Sequence, residues 1–110
     1  MKIIDANAID STLAHNDVPR RALIKVGDGK SGLQTVNDAH LEPGRGFKPH
    51  IHDDCEEVYY FLEGTGIMKI DDKDIAVRSG MCVLVETGES HGLENTGSTH
   101  LRFITIRVKV

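Results

Sequence analysis

Two histidines and two glutamates stand close together in the middle of the chain, within residues 50–57. His50 and His52 are two residues apart, so on a β-strand their imidazoles point to the same face of the sheet. Glu56 and Glu57 are adjacent, and the alternation of a strand lets only one of them share that face. Imidazole and carboxylate groups together are typical ligands of divalent transition metals. The stretch therefore predicts one sheet face that carries two imidazoles and one carboxylate.

The elements around this stretch are short apolar runs separated by turn residues. Pro49 cannot donate a ladder hydrogen bond, which predicts an edge strand or a bulge just before the histidines. No run of ten residues has a convincing helical period. The pattern predicts an all-β fold in which antiparallel sheets close into a jelly-roll barrel. We predict eight or nine strands, near residues 20–26, 33–41, 46–52, 58–62, 67–70, 75–77, 81–85, 91–95 and 101–110.

The length and composition predict one globular domain. The chain has 110 residues, of which 39% are hydrophobic, 27% are charged and 11 are glycine. This length supports one hydrophobic core but not two. We predict an N-terminal arm at residues 1–17, with Asn16 as a turn former, and a single barrel at residues 18–110.

The charge pattern excludes two classes of partner. The net charge is −4 with histidine neutral, and the basic residues are scattered, so we predict neither nucleic acid nor an anionic membrane as a partner. No signal-peptide core or membrane span is evident, which predicts a cytoplasmic location. In that reducing compartment Cys55 and Cys82 are predicted to be free thiols, the first in a loop and the second buried in an apolar strand. His15, His40 and His100 are predicted to be surface or turn residues.

The spacing of glycine, histidine and glutamate around the opening stretch resembles the first motif of the cupin family. That motif is a glycine, five residues, His-x-His, three or four residues, a glutamate, six residues and a glycine. Every position is matched, by Gly44, His50, His52, Glu57 and Gly64.

A second stretch resembles the second cupin motif, in which glycine, proline, glycine, histidine and asparagine stand at fixed spacing. Gly80, Gly88, His91 and Asn95 match it, and Glu86 stands at the place of the proline. A proline there fixes φ and ligates nothing, so this departure concerns the rigidity of one turn.

The resemblance implies a double-stranded β-helix with a three-histidine, one-glutamate metal site formed by His50, His52, Glu57 and His91. It also selects Glu57 over Glu56. Such ligands suit one divalent ion such as Mn, Fe, Ni, Co or Zn, with open positions for water or substrate. Glu57 is the predicted catalytic residue, as a proton acceptor.

Strand parity around Glu57 predicts two faces with different partners. Residues 59 and 61 would face the barrel interior, whereas residues 58, 60 and 62 would face outward and need cover. A homodimer would supply that cover, as in many cupins, and the N-terminal arm of the same chain is the alternative. The residues predicted to line a pocket are Gln34, Phe47, Tyr59, Phe61 and Met68.

Three functions compete, because the cupin barrel hosts oxidation, isomerisation, lyase chemistry and simple binding. The first is a metal-dependent, dioxygenase-like enzyme that acts on a small oxygenated substrate. The second is a sugar or uronate isomerase or tautomerase without redox chemistry. The third is a non-catalytic small-molecule binding or sensor module. A basic residue that converges on the site would favour an acidic ligand, and Lys48 and Arg102 are the candidates that the sequence suggests.

Overall fold

The computed structural model describes residues 1–14 and 17–110, and these residues are mostly β-strand. They form a three-residue 3-10 helix at Ala6–Ala8 and no α-helix. No helix among them is long and apolar enough to cross a membrane. The ten strands of the described residues are β1 (Thr12–Leu13), β2 (Pro19–Ile24), β3 (Leu33–Leu41), β4 (Gly46–Ile51), β5 (Cys55–Glu63), β6 (Thr65–Ile70), β7 (Lys73–Arg78), β8 (Cys82–Val85), β9 (Ser90–Glu94) and β10 (Leu101–Lys109).

The strands form two antiparallel sheets that pack face to face. The larger sheet has the order β1-β2-β3-β10-β5-β8, and the smaller has the order β4-β9-β6-β7. Residues on the facing sides enclose one apolar core, whose largest buried side chains include Phe61, Met68, Leu101 and Phe103. The prediction of an all-β jelly-roll barrel is confirmed.

Pro49 lies where the sequence predicts an edge or a bulge. Strand β4 is an edge of the smaller sheet, and its pairing with β9 shifts register between Phe47 and His50. An edge position tolerates the missing N–H of proline. Because of this register shift, His50 lies directly opposite His91 on β9.

The arm is tied to the barrel by β1, which pairs with the start of β2. Behind it, Ala14 packs against the core, and its N–H donates to the Val18 carbonyl oxygen at 2.7 Å. The division of the chain at residue 17 stays a prediction. His15 and Asn16 lie outside the described residues.

Both cysteines are free, as predicted, but their environments are the reverse of those expected. Cys82 is exposed, because it pairs with Tyr60 on the outward parity of β5 and β8. Cys55 is not a loop residue: it begins β5 and is buried. Burial raises the pKa of the Cys55 thiol.

Candidate metal centre

Strands β4, β5 and β9 bring four side chains together inside the barrel: His50, His52, Glu57 and His91. We call them the barrel cluster, in which His52 lies just after the end of β4. His50 on β4 is the direct cross-strand partner of His91 on β9. Glu57 reaches the same space from β5 in the facing sheet. One ligand atom from each of the four residues lies within 4.8 Å of the others, and the set could hold a metal ion. Glu56, its neighbour in sequence, is not part of the cluster.

The turn before β9 fixes His52 against His91. Gly88 has φ +85°, a left-handed conformation that favours glycine, and its N–H donates to the His52 carbonyl oxygen at 2.9 Å. At the motif's proline place, the Glu86 N–H donates to the Glu89 carboxylate at 2.8 Å. A proline has no N–H for that bond. A hydrogen bond to the Glu89 side chain thus stabilises the turn that a proline ring would stiffen in the motif.

Two of the imidazoles are oriented through their Nδ1 atoms. His50 Nδ1 lies 3.4 Å from the Lys48 carbonyl oxygen, and His91 Nδ1 lies 3.2 Å from that of Glu89. A hydrogen bond on one ring nitrogen fixes the tautomer and leaves the other nitrogen to bind a metal. The Nε2 atom of the fully buried His91 has no hydrogen-bond partner among the described residues. The donor set therefore fits a divalent transition metal.

Glu57 is the carboxylate at the centre of the cluster. Its Oε1 atom accepts a hydrogen bond of 2.9 Å from the buried Tyr59 hydroxyl, and lies 3.9 Å from His52 Nε2. Burial raises the pKa of Glu57, but the His91 ring and the Tyr59 hydroxyl outweigh it, so that the pKa lies below its usual value. Burial, and then the Glu57 charge, raise the pKa of Tyr59 well above its usual value. The pair is therefore an ionised carboxylate with a protonated phenol.

The imidazole of His50 is held in its neutral form. Burial, followed by the neighbouring His91, lowers its pKa below the ordinary value of 6.5. The ring centroids of His50 and His91 are 4.2 Å apart. Positive charges on both rings at that distance, in a partly buried site, would repel each other. The neutral imidazole is also the form that binds metals.

A cavity of about 170 Å³ opens beside the cluster. Of the five residues predicted to line a pocket, Phe47 and Tyr59 do so. Phe61 and Met68 lie in the hydrophobic core, and Gln34 is a half-buried residue of β3 away from the cavity lining. The lining residues are Ala14, Val18, Arg20, Thr35, Asn37, Ala39, Phe47, His50, His52, Glu57, Tyr59, Phe103, Thr105 and Arg107.

Two cavity residues that the sequence analysis missed are Arg20 and Arg107. The Nε atoms of both, and the Oδ1 atom of Asn37, are buried and have no hydrogen-bond partner among the described residues. The sequence contains a signal for one of them, because Arg107 shares the inward parity of Phe103 and Thr105 on β10. An arginine at an inward position of an amphipathic strand indicates a functional cavity.

The two basic residues that the sequence suggested lie elsewhere. Lys48 is exposed on β4. Arg102 points to the outer face of β10, where Nε and one terminal nitrogen donate to Asp38 at 3.0 and 2.9 Å. These hydrogen bonds, and then the Asp38 charge, raise the pKa of Arg102. Neither Lys48 nor Arg102 lines the cavity.

Comparison with known families decides the assignment that the motifs suggested. The family model described as a cupin domain matches residues 37–107, which span β3 to β10 and contain the whole barrel cluster. The chain is a cupin. Two relatives match this cupin at 30% identity or more. An oxalate-binding protein of Thermotoga maritima is 38% identical over 66 residues, which are 60% of this chain and 54% of that protein. An uncharacterized protein of Methanocaldococcus jannaschii is 30% identical over 76% of this chain and 67% of its own length.

Two solved structures superpose on nearly the whole of this chain. A predicted oxalate decarboxylase of Thermotoga maritima superposes with a TM-score of 0.92 at 25% identity, covering 99% of this cupin and 100% of that chain. The polyketide cyclase RemF of Streptomyces resistomycificus superposes with a TM-score of 0.84 at 22% identity, covering 98% and 79%. In sequence, the cupin spans about half of the oxalate-binding protein that it matches.

Proposed function

We propose that this cupin binds a small dicarboxylate of the oxalate class on a divalent transition metal held by the barrel cluster. The observation that carries the proposal is the presence of Arg20 and Arg107 in the lining of the cavity that also contains His50, His52 and Glu57. A metal face and a guanidinium face would then enclose one anionic ligand.

The metal would be Mn, Fe, Ni, Co or Zn, since three imidazoles and one carboxylate suit this group of ions. When bound, it supplies Lewis acidity toward ligand oxygens. Glu57 would give the site one negative charge, and Tyr59 would keep that carboxylate in place through its hydrogen bond. His91 would contribute the buried Nε2 atom that has no other partner among the described residues.

The charges of the cavity favour an anion. Its lining includes two guanidinium groups and one carboxylate, so the protein alone contributes a net positive charge with histidine neutral. Guanidinium groups bind carboxylates through paired hydrogen bonds. The Nε atoms of Arg20 and Arg107, which have no hydrogen-bond partner among the described residues, are donors that a carboxylate ligand would satisfy.

The size of the cavity favours a small ligand. About 170 Å³ is well below the roughly 300–1,000 Å³ of pockets for drug-sized molecules. That volume suits a ligand of a few non-hydrogen atoms better than a flavonol or a polyketide. The names given to the Thermotoga maritima matches, oxalate-binding protein and predicted oxalate decarboxylase, agree with this ligand class.

The proposal is tested by calorimetric titration of oxalate into metal-loaded protein, with oxamide as the neutral isostere and acetate as the monocarboxylate. Oxalate should bind and oxamide should not, because the arginines recognise charge. Arg107→Gln should weaken oxalate binding about 10- to 100-fold, which corresponds to the loss of one charged hydrogen bond. The matched control is Arg78→Gln, an exposed arginine on β7.

A second variant tests whether ligand binding depends on the metal. His52→Ala should abolish both, with Asp53→Ala as the exposed neighbouring control. The proposal fails if oxamide binds as well as oxalate, or if oxalate binding is unchanged in Arg107→Gln.

Turnover of the bound ligand is the second candidate function, and the place of the Glu57 carboxylate in the cavity lining favours it, since a carboxylate there can accept a proton from the ligand. Both dioxygenase-like and redox-neutral isomerase-like reactions belong to this candidate. Oxygen uptake and ligand consumption by metal-loaded protein test it, with Glu57→Gln as the variant that should lose turnover. A protein that binds oxalate and consumes neither oxygen nor ligand is a binding module.

We propose that the cupin is a cytoplasmic homodimer that associates through the outer face of the larger sheet. Tyr60 on β5 and Leu84 on β8 are 44% and 52% exposed there, next to the half-buried Val58 and Leu62. The described residues of the arm, 1–14 and 17, leave both Tyr60 and Leu84 exposed. A second copy would bury this apolar face.

A further inference from the structure

Three side chains outside both motifs form a second group of metal-ligand type on the outer surface of the barrel. His40, Glu42 and His100 each place a ligand atom within 4.8 Å of the other two, and we call them the surface cluster. The neighbours of His40 on β3, Ala39 and Leu41, are buried in the core. His40 therefore points away from the barrel interior, and the surface cluster is on the opposite side of the sheet from the barrel cluster.

The pairing of β3 with β10 assembles the surface cluster. Leu41 and Leu101 are direct partners, so Glu42, just after Leu41, lies beside His100, just before Leu101. The rings of His40 and His100 stack with centroids 4.9 Å apart and an angle of 16° between planes. This arrangement joins residues 60 positions apart in the chain.

Both imidazoles direct Nε2 at the same carboxylate. His100 Nε2 lies 2.9 Å from Glu42 Oε2, and His40 Nε2 lies 3.9 Å from Glu42 Oε1. Around a tetrahedral zinc ion with bonds of about 2.0–2.2 Å, neighbouring ligand atoms are about 3.3–3.6 Å apart. The two measured distances, one to each oxygen of the carboxylate, lie on either side of that range, so a rotation of the carboxylate is needed to bring a single oxygen to both rings. All three side chains are at least one third exposed, so small rotations can adjust them.

A simple ion pair accounts for one of the two imidazoles but not for both. Glu42 needs only one protonated ring, and protonating the second as well would place two positive charges face to face. An exposed pair of this kind contributes about 0–1 kcal/mol. Arg102, the partner of His40 across the sheet, is held by two hydrogen bonds to Asp38. Two neutral imidazoles and a carboxylate are, by contrast, a ligand set for zinc.

We propose that the surface cluster is a second divalent-metal site, which binds Zn²⁺ through two imidazole nitrogens and one carboxylate oxygen. Water completes the coordination, since three protein ligands leave a position open. The site bridges the end of β3 to the start of β10. It is independent of the oxalate-class function and of the barrel cluster.

The test counts zinc ions. Untagged protein is stripped of metal, equilibrated with Zn²⁺ alone by dialysis, and analysed for zinc per chain. Wild type should hold two ions, and His100→Gln and Glu42→Gln should each hold one. The control Glu63→Gln should hold two, because Glu63 is an exposed carboxylate on the same face that contacts Arg102 instead.

Variants of the two clusters separate their outcomes. His52→Ala should retain one ion, and His52→Ala combined with His100→Gln should retain none. If the barrel cluster binds no zinc, wild type holds one ion that His100→Gln removes, which supports the surface site alone. The proposal is overturned if His100→Gln and Glu42→Gln hold as many ions as wild type.

Discussion

The Nε2 atom of His91 lies 3.3 Å from the Oε1 atom of Glu57, at a place where the imidazole is fully buried. The contact lacks hydrogen-bond geometry, and Nε2 has no hydrogen-bond partner among the described residues. A buried polar group without a partner costs about 1–3 kcal/mol. A cation shared by the two atoms would remove that cost, which makes this pair the centre of the proposed metal site.

Tyr59→Phe should weaken both the fold and the metal site. The substitution removes the 2.9 Å hydrogen bond to Glu57 Oε1 inside the barrel. A hydrogen bond to a charged group contributes about 1.5–3 kcal/mol, and loss of a residue that orients a ligand lowers metal affinity about 10- to 100-fold. Urea unfolding of metal-free protein and a metal titration measure the two effects. The idea is refuted if Tyr59→Phe matches wild type in both.

The stability of metal-free protein should fall as the pH drops below 6.5. The pKa of His50 in the folded state is lower than its ordinary value of 6.5, mainly because of burial. Below pH 6.5 the unfolded chain therefore takes up a proton before the folded chain does, and the free energy of unfolding decreases until the folded pKa is reached. His50→Gln should flatten this slope. Urea unfolding at a series of pH values, in the presence of a chelator, provides the measurement.

Gly92→Ala should displace β4 and impair metal binding. A Cβ at Gly92 would lie 2.9 Å from the Pro49 nitrogen and 3.0 Å from the Phe47 carbonyl oxygen, both backbone atoms. Such overpacking costs about 1–3 kcal/mol. The shift would move His50, which follows Pro49, relative to His91. Gly29→Ala is the matched control, because a Cβ there meets nothing within 4 Å. Equal metal affinity in the two variants would contradict the prediction.

Leu84→Asp should convert the proposed dimer into a monomer. The substitution places a charge on the exposed apolar face of the larger sheet, where a partner copy would exclude water. Light scattering should give twice the chain mass for wild type and the single mass for the variant. Val26→Asp is the control, since Val26 is 66% exposed and lies outside the sheets.

Thiol labelling provides a second reading of the same interface. Cys82 lies on this face beside Tyr60 and should react faster in the Leu84→Asp monomer than in wild type. Cys55 should stay slow in both, because burial keeps its thiol protonated and inaccessible. A wild-type chain of single mass with a rapidly reacting Cys82 would exclude the dimer.

The strand pattern could be read from the sequence because it depends on local spacing, and the members of the barrel cluster could be named because two stretches resemble the cupin motifs. Alternation and turn residues fix short strands, and the predicted span at residues 33–41 coincides with β3. The two motifs named His50, His52, Glu57 and His91, which the fold brings within ligand distance of one another.

The tertiary structure alone decided what surrounds those residues. Which face of a strand meets which partner depends on register, and a slip of one residue would reverse every side chain. Register places Cys82 outside and Cys55 inside, and it places Arg20 and Arg107 in one cavity although they belong to opposite ends of the chain. The same long-range pairing stacks His40 on His100. The resemblance of two sequence stretches to the cupin motifs thus named the proposed metal ligands, whereas strand pairing determined the charge, size and neighbours of the space in which they act.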